Sequence, residues 1–251
     1  MIQNIIKGIN GYSGAFALIS KLKLWKYFFI PIIISVIVAI TIGFSAYGLS
    51  DNVGNYIAKI WFWDWGKDTF TSFSTIISFI IIFAIGLIFF KHIIMALSAP
   101  FMGPVSEKIE THLTGVTNHN HRKTSFEEQL WRGIKINFRN LTRELLITVP
   151  ILLLKFIPVV NIFSAILLLL IQGYYAGFGN MDYTLERHFN FKESVNFVRR
   201  NRGLAIGNGL VFIMLLIIPV IGVVLVLPLS VTAGSITTIK QIKTENQKLL
   251  Q

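Results

Sequence analysis

The side chains best suited to chemistry in this sequence are cations. Arg132, Lys135, Arg139 and Arg143 recur at helical spacing and fall within an arc of about 80° at 100° per residue. Trp131, Ile134, Phe138, Leu141 and Leu145 occupy the adjoining arc, so a basic stripe runs beside an apolar one. Such a helix suits a membrane interface, with its cations reaching anionic headgroups, and it equally suits a vestibule that attracts an anionic substrate. Arg199, Arg200 and Arg202 form a second basic group, placed either to complement a helix C-terminus or to extend the vestibule. Lys155 is different in kind, because it interrupts a long apolar block. Ionisable residues there serve function or snorkel to the interface.

Other chemistries find little support. There is no cysteine, which excludes disulfides, thiol catalysis and cysteine-ligated metals. His112, His119 and His121 sit in a polar stretch without the helical His-Glu-x-x-His arrangement that fixes zinc geometry, so no metal is expected. The apolar blocks hold no paired carboxylates and no nucleophile elbow, and no Gly-x-x-x-x-Gly-Lys-Ser/Thr loop occurs. An enzyme, a resident cofactor and an ATP-driven pump are not expected.

The elements that carry these cations belong in a membrane. Apolar residues make up 53% of the chain and charged residues only 14%, with 21 Phe and 5 Trp. The net charge of +11 comes from cations flanking apolar segments, where they fix orientation and bind anionic lipid rather than nucleic acid. Between Lys26 and Asp51 lie 24 uncharged residues, and between Asp68 and Lys91 lie 22. Each suits one crossing of a hydrocarbon core of roughly 30 Å, giving expected spans at 24–49 and 69–97. The first run is too long for a signal-peptide core and is read as a retained span.

The later blocks, 145–181 and 203–239, each hold 37 residues, and Lys155 is their sole charge. A straight helix of that length measures about 55 Å, so each block is expected to turn back. The turns fall at Ile157-Pro158-Val159-Val160-Asn161 and Ile218-Pro219-Val220-Ile221-Gly222, an internal repeat offset by 61 residues. Proline breaks the helix, and Asn161 or Gly222 accepts the turn. Two re-entrant, proline-tipped hairpins are expected, joined by cytoplasmic amphipathic segments at 98–144 and 182–202. One helix is expected to stop at Gly115, and Ser125-x-x-Glu128 reads as the capping box of the next. Lys and Arg abundance in residues 1–26, in both connecting segments and in the tail places all of these, with the N-terminus, on the cytoplasmic side. The loop from 50 to 69, with Trp61-Phe62-Trp63-Asp64-Trp65 as an aromatic anchor, is expected outside. The whole is an all-α, single-domain, multi-pass membrane protein.

Ala99-Pro100-Phe101, Glu107, Leu113-Thr114-Gly115, Ile157-Pro158, Asp182-Tyr183, Phe191, Arg199, Gly207 and Ile218-Pro219 together resemble the landmarks of the CysZ and EI24-like membrane proteins, from about Gly11 to Lys240. That resemblance implies an inner-membrane homo-oligomer that passes sulfate to the cytoplasm. Family members associated with sulfate carry a Gly-hydrophobic-Arg motif ahead of the first span, where a helix N-terminus holds the anion. Counting back from Pro31, the stretch here is Lys23-Leu24-Trp25-Lys26, with Lys23 in place of the Gly and Trp25 in place of the Arg. Lys23, Trp25 and Lys26 are therefore the candidate anion-binding residues, and Arg132, Arg139, Lys155, Arg199, Arg200 and Arg202 the candidate pathway. The competing reading is a lipid-interacting protein without transport activity.

Overall fold

A computed structural model describes residues 1–62, 65–116, 122, 124–154, 157, 160–218 and 221–249. Lys155, Pro158 and Pro219, like Trp63, Asp64, His119 and His121, lie outside the described residues. Within them the regular structure is entirely helical: α1 (Ile2–Asn10), α2 (Ala15–Lys21), α3 (Trp25–Ala58), α4 (Lys67–Thr114), α5 (Phe126–Leu154), α6 (Val160–His188), α7 (Phe191–Arg200), α8 (Arg202–Leu216) and α9 (Ile221–Leu249). Four of these, α3, α4, α6 and α9, are long and apolar enough to cross a membrane. Together with the exposed Phe29, Ile37, Phe44, Phe73 and Ile80 along α3 and α4, they make this a multi-pass membrane protein, because such surface is stable only against lipid.

Helices α3 and α4 run antiparallel. Gly54 meets Thr75 near one end and Gly86 meets Ile42 further along. At 1.5 Å per residue α4 is about 72 Å long, so it overruns any bilayer core. Its polar half is not a separate helix starting after Pro104; α4 carries straight through Pro100 and Pro104. Pro100 cannot donate to the Ala96 carbonyl, and α5 packs closely beside that carbonyl. A Cβ on Gly133 of α5 would stand 2.9 Å from Ala96 O. The helix stops where expected, with Gly115 in the left-handed region at φ 73°.

The capping box ahead of α5 is present in full. Ser125 N–H donates to Glu128 Oε2 at 2.9 Å and Glu128 N–H donates to Ser125 Oγ at 3.2 Å. One uninterrupted α5 then carries the basic stripe and continues into the apolar run as far as Leu154. A second reciprocal box, Asn190 with Glu193, opens α7.

The sequence repeat has a structural counterpart. Ile157 N–H donates to Leu154 O and Asn161 N–H to Ile157 O, each at 3.1 Å. Sixty-one residues on, Ile218 N–H donates to Leu215 O at 3.1 Å and Gly222 N–H to Ile218 O at 2.7 Å. Both connections reverse the chain, so that α5 returns against α6, joined by Arg132 to Asp182, and α8 against α9, joined by Asn208 to Ser230. The α8–α9 turn sits beside the middle of α3, where Ala39 and Ile42 share a cavity with Leu216, Ile217 and, from α4, Leu87.

Helices α6 and α8 pack backbone to backbone. A Cβ on Gly177 would lie 1.8 Å from Ala205 O, and one on Gly209 would lie 1.8 Å from Gly173 O. Only glycine permits that approach, as in small-residue seams between membrane helices. The seam fixes the height of α8 against α6.

Candidate anion-binding site

The basic stripe of α5 leans on α6 and α7. Arg132 forms a two-pronged pair with Asp182, from Nη2 to Oδ1 at 2.9 Å and from Nε to Oδ2 at 3.2 Å. It also donates to Ser194 Oγ at 2.7 Å and to Phe189 O at 3.0 Å. Burial opposes its charge, but Asp182 outweighs burial and holds the guanidinium above its ordinary pKa. Lys135 lies over the Phe191 ring at 4.8 Å, and Arg139 over the Phe178 ring at 5.2 Å.

Beyond Arg132 the stripe changes character. Arg139 and Arg143 of α5, Arg199 near the end of α7 and Arg202 at the start of α8 all lie within electrostatic reach of Tyr174 on α6. Among the described residues none of the four pairs with a carboxylate; the one hydrogen bond that Arg139 makes runs from Nη1 to Asn140 Oδ1 at 2.9 Å. Burial, and then the charge of Arg143, pull Arg139 below its ordinary pKa, with Arg199 adding to the effect. Like charges gathered without counter-charge raise the free energy of the empty site and lower that of a bound anion. The tyrosine hydroxyl adds a neutral donor.

Arg200 stands apart from this group. It faces Glu245 of α9 at 3.5 Å, in an exposed pair of the kind worth little. Asn161 is exposed on the first turn of α6, and Gly222 packs within the tight α8–α9 turn, where a Cβ would stand 2.6 Å from Leu215 O.

The N-terminal candidates lie elsewhere. Lys23 is exposed between α2 and α3 with φ 53°, a left-handed conformation that L side chains rarely adopt. Trp25 packs edge-on against Phe16, and its Nε1–H donates to Ser20 Oγ at 3.4 Å, so the indole serves the α2–α3 corner. Exposed Lys26 lies 5.0 Å from the Tyr27 ring centre, with Lys108 of α4 at 5.7 Å. The first turn of α3 has no side-chain cap, and its Tyr27 N–H donates to Leu24 O at 2.9 Å.

Sequence reasoning missed a buried polar layer. Lys91 Nζ and Glu144 Oε1 are 2.6 Å apart, and His92 Nε2 is 3.1 Å from Glu144 Oε2; all three side chains are at most 3% exposed. Arg187 pairs with Glu110, and His188 Nε2 lies 3.3 Å from the same carboxylate. Asn180 donates to Asn208 Oδ1, Asn208 donates to Ser230 O, and Tyr12 Oη donates within reach of Asn208 O at 2.8 Å and Ser230 Oγ at 2.7 Å. One signal was available in advance. Lys91, Glu144 and Asp182 mark the ends of the apolar blocks, and block ends of antiparallel neighbours meet at one depth. No cluster of three or more metal-holding side chains occurs among the described residues.

Known proteins resemble this chain in sequence. The family model described as Sulfate transporter CysZ/Etoposide-induced protein 2.4 matches residues 12–226. A sulfate transporter CysZ of Pseudomonas fluorescens is 26% identical over 179 residues, which are 67% of this chain and 68% of the relative. One from Vibrio cholerae is 27% identical over 172 residues, 65% of this chain and 66% of the relative. One from Pseudomonas syringae is 27% identical over 159 residues, 62% of each. The chain thus spans about two thirds of the length of these curated relatives. A transport family is not an enzyme family, which agrees with the lack of expected catalytic groups. The resemblance read from Ala99-Pro100-Phe101 onward therefore holds, and the chain belongs to the Sulfate transporter CysZ/Etoposide-induced protein 2.4 family.

Proposed function

We propose that this protein is a passive route for a sulfate-type anion into the bacterial cytoplasm. The observation that carries the reading is that Arg139, Arg143, Arg199 and Arg202 all lie within electrostatic reach of Tyr174, with no carboxylate paired to any of them among the described residues. Curated relatives named sulfate transporters supply the substrate class. The protein sits in the inner membrane with its N-terminus in the cytoplasm, following the positive-inside distribution of Lys and Arg. Helices α3 and α4 are the two full spans. The α5–α6 and α8–α9 pairs are hairpins that enter and leave on the cytoplasmic side. Support for this comes from the α8–α9 turn, which stops beside the middle of α3. Hairpin tips expose backbone to a pathway only where protein or water surrounds them, and a homo-oligomer would complete those surroundings. Lys155, Pro158 and Pro219 belong to these tips by sequence.

Radiolabelled sulfate uptake into proteoliposomes tests the function. Uptake above empty vesicles is expected. In the Lys23→Ala/Lys26→Ala protein it falls if the first turn of α3 also holds the anion. Uptake equal to empty vesicles would sink the proposal.

A lipid-organising role without transport is the second reading. It is favoured by Trp131 and Phe138, each 69% exposed on α5 beside the cations. That role predicts binding to anionic-lipid vesicles that weakens when Lys135 and Arg143 are neutralised, with no sulfate flux.

A further inference from the structure

One face of α5 is polar and buried inside the protein. Asn137, Asn140, Glu144 and Thr148 fall within an arc of about 80° and span roughly 16 Å. All four are buried, at 3%, 0%, 1% and 6% exposure. Their hydrogen bonding is incomplete, since Asn140 Nδ2 and Thr148 Oγ1 have no partner among the described residues. Buried polar atoms without partners are rare, and each calls for an explanation such as an absent ligand or water. Toward its N-terminal end this face touches the arginine group, through the Arg139 bond to Asn140. At Glu144 it meets Lys91 and His92 of α4, and His92 lies beside Asn137. Lys91 in turn lines a cavity of about 270 Å³ shared with Gln172 of α6 and with Ile213, Leu216 and Ile217 at the end of α8.

A buried Lys–Glu pair is costly, because desolvation offsets most of the attraction, and an apolar pair of like volume is often as stable. Here Lys91, held by Glu144 of α5, also lines the cavity beside the end of α8. Resting on the anion-transport reading above, we infer that the polar face of α5 is an internal track for a tetrahedral oxyanion, with the Lys91–Glu144 pair as its latch. The oxyanion passes from Arg139 to the Asn140 amide and displaces Glu144 from Lys91. Glu144 then repels it, and Thr148 donates to it as it crosses. Lys91 supplies the attraction and Glu144 limits the dwell time, so the site binds divalent anions without trapping them.

The natural absence of cysteine makes the test direct. Thr148→Cys and Asn140→Cys proteins, with Leu146→Cys as the lipid-facing control at 68% exposure, are reconstituted in neutral-lipid vesicles and treated with an anionic methanethiosulfonate. A wet track exposes the first two thiols to a charged reagent that lipid excludes. Thr148→Cys and Asn140→Cys are expected to react about a hundredfold faster than Leu146→Cys, and sulfate to slow them. The double variant Lys91→Gln/Glu144→Gln leaves no unpaired charge behind, so it keeps the fold. Its sulfate uptake is expected to fall about tenfold, and its preference for sulfate over chloride to disappear. Inert thiols at both positions, or wild-type selectivity in the double variant, overturn the track while sulfate uptake by the parent protein stands. Protection by anionic lipid instead of sulfate assigns the groups to headgroups and also overturns it. A parent protein that takes up no sulfate overturns the function proposed above and this inference with it.

Discussion

At the scale of single residues, two arginines seven positions apart on α5 do different work. Arg132 is saturated by Asp182, Ser194 and Phe189 O, whereas Arg139 has only the side-chain oxygen of Asn140 and the face of Phe178. Truncating Arg132 strands a buried carboxylate, which costs about 3–5 kcal/mol. Arg132→Ala is therefore expected to lower the thermal unfolding midpoint in detergent by many degrees. Arg139→Gln is expected to leave that midpoint nearly unchanged. Equal effects on stability would contradict the separation of a structural arginine from a ligand-collecting one. In the sequence the two were indistinguishable members of one stripe, because the difference lies in partners some fifty residues away. Lys91 and Glu144 were legible only as borders of apolar blocks. Their meeting depends on how α4 and α5 align.

Among elements, the starts, stops and turns were the most legible parts. The Ser125–Glu128 box, the Gly115 stop and the paired turns at Ile157 and Ile218 rest on local hydrogen bonds, which neighbouring residues decide. The continuity of α4 through Pro100 and Pro104 was not legible, since proline normally argues for a break. At Pro100, which is buried, Gly133 of α5 packs against Ala96 and Ala99 beside the weakened turn. The α6–α8 seam was also hidden, as glycine reads as a breaker until its neighbour is known. Gly177→Leu is expected to force the two backbones apart and to destabilise the protein by about 1–3 kcal/mol. Gly43→Leu, which meets nothing within 4 Å, is expected to stay within about 0.5 kcal/mol of the parent. Denaturation of the two variants side by side checks this, and a Gly177→Leu protein as stable as Gly43→Leu would refute the seam's role.

Over the whole molecule, composition together with the lengths of the apolar blocks pointed to the membrane class and the helical fold, and the distribution of cations gave an expected orientation. That orientation predicts that a membrane-impermeant maleimide applied to intact cells labels Phe62→Cys, between α3 and α4. It predicts no labelling of Val116→Cys, just past the end of α4, until the cells are opened. Both positions are exposed, at 85% and 50%, so accessibility within the fold does not decide the result. The reverse pattern would turn the protein over and put the arginine group outside. The site itself was legible only as a list of cations. What assembles four of them is a long-range arrangement in which α5, α7 and α8 converge on α6, and no local pattern encodes it. The most direct measurement of the central claim is the concentration dependence of sulfate uptake by proteoliposomes carrying the parent protein or Arg139→Gln/Arg199→Gln. Loss of two charge-assisted contacts is expected to reduce uptake at low sulfate by about tenfold or more. Uptake identical to the parent at every concentration would show that the anion does not pass by these arginines.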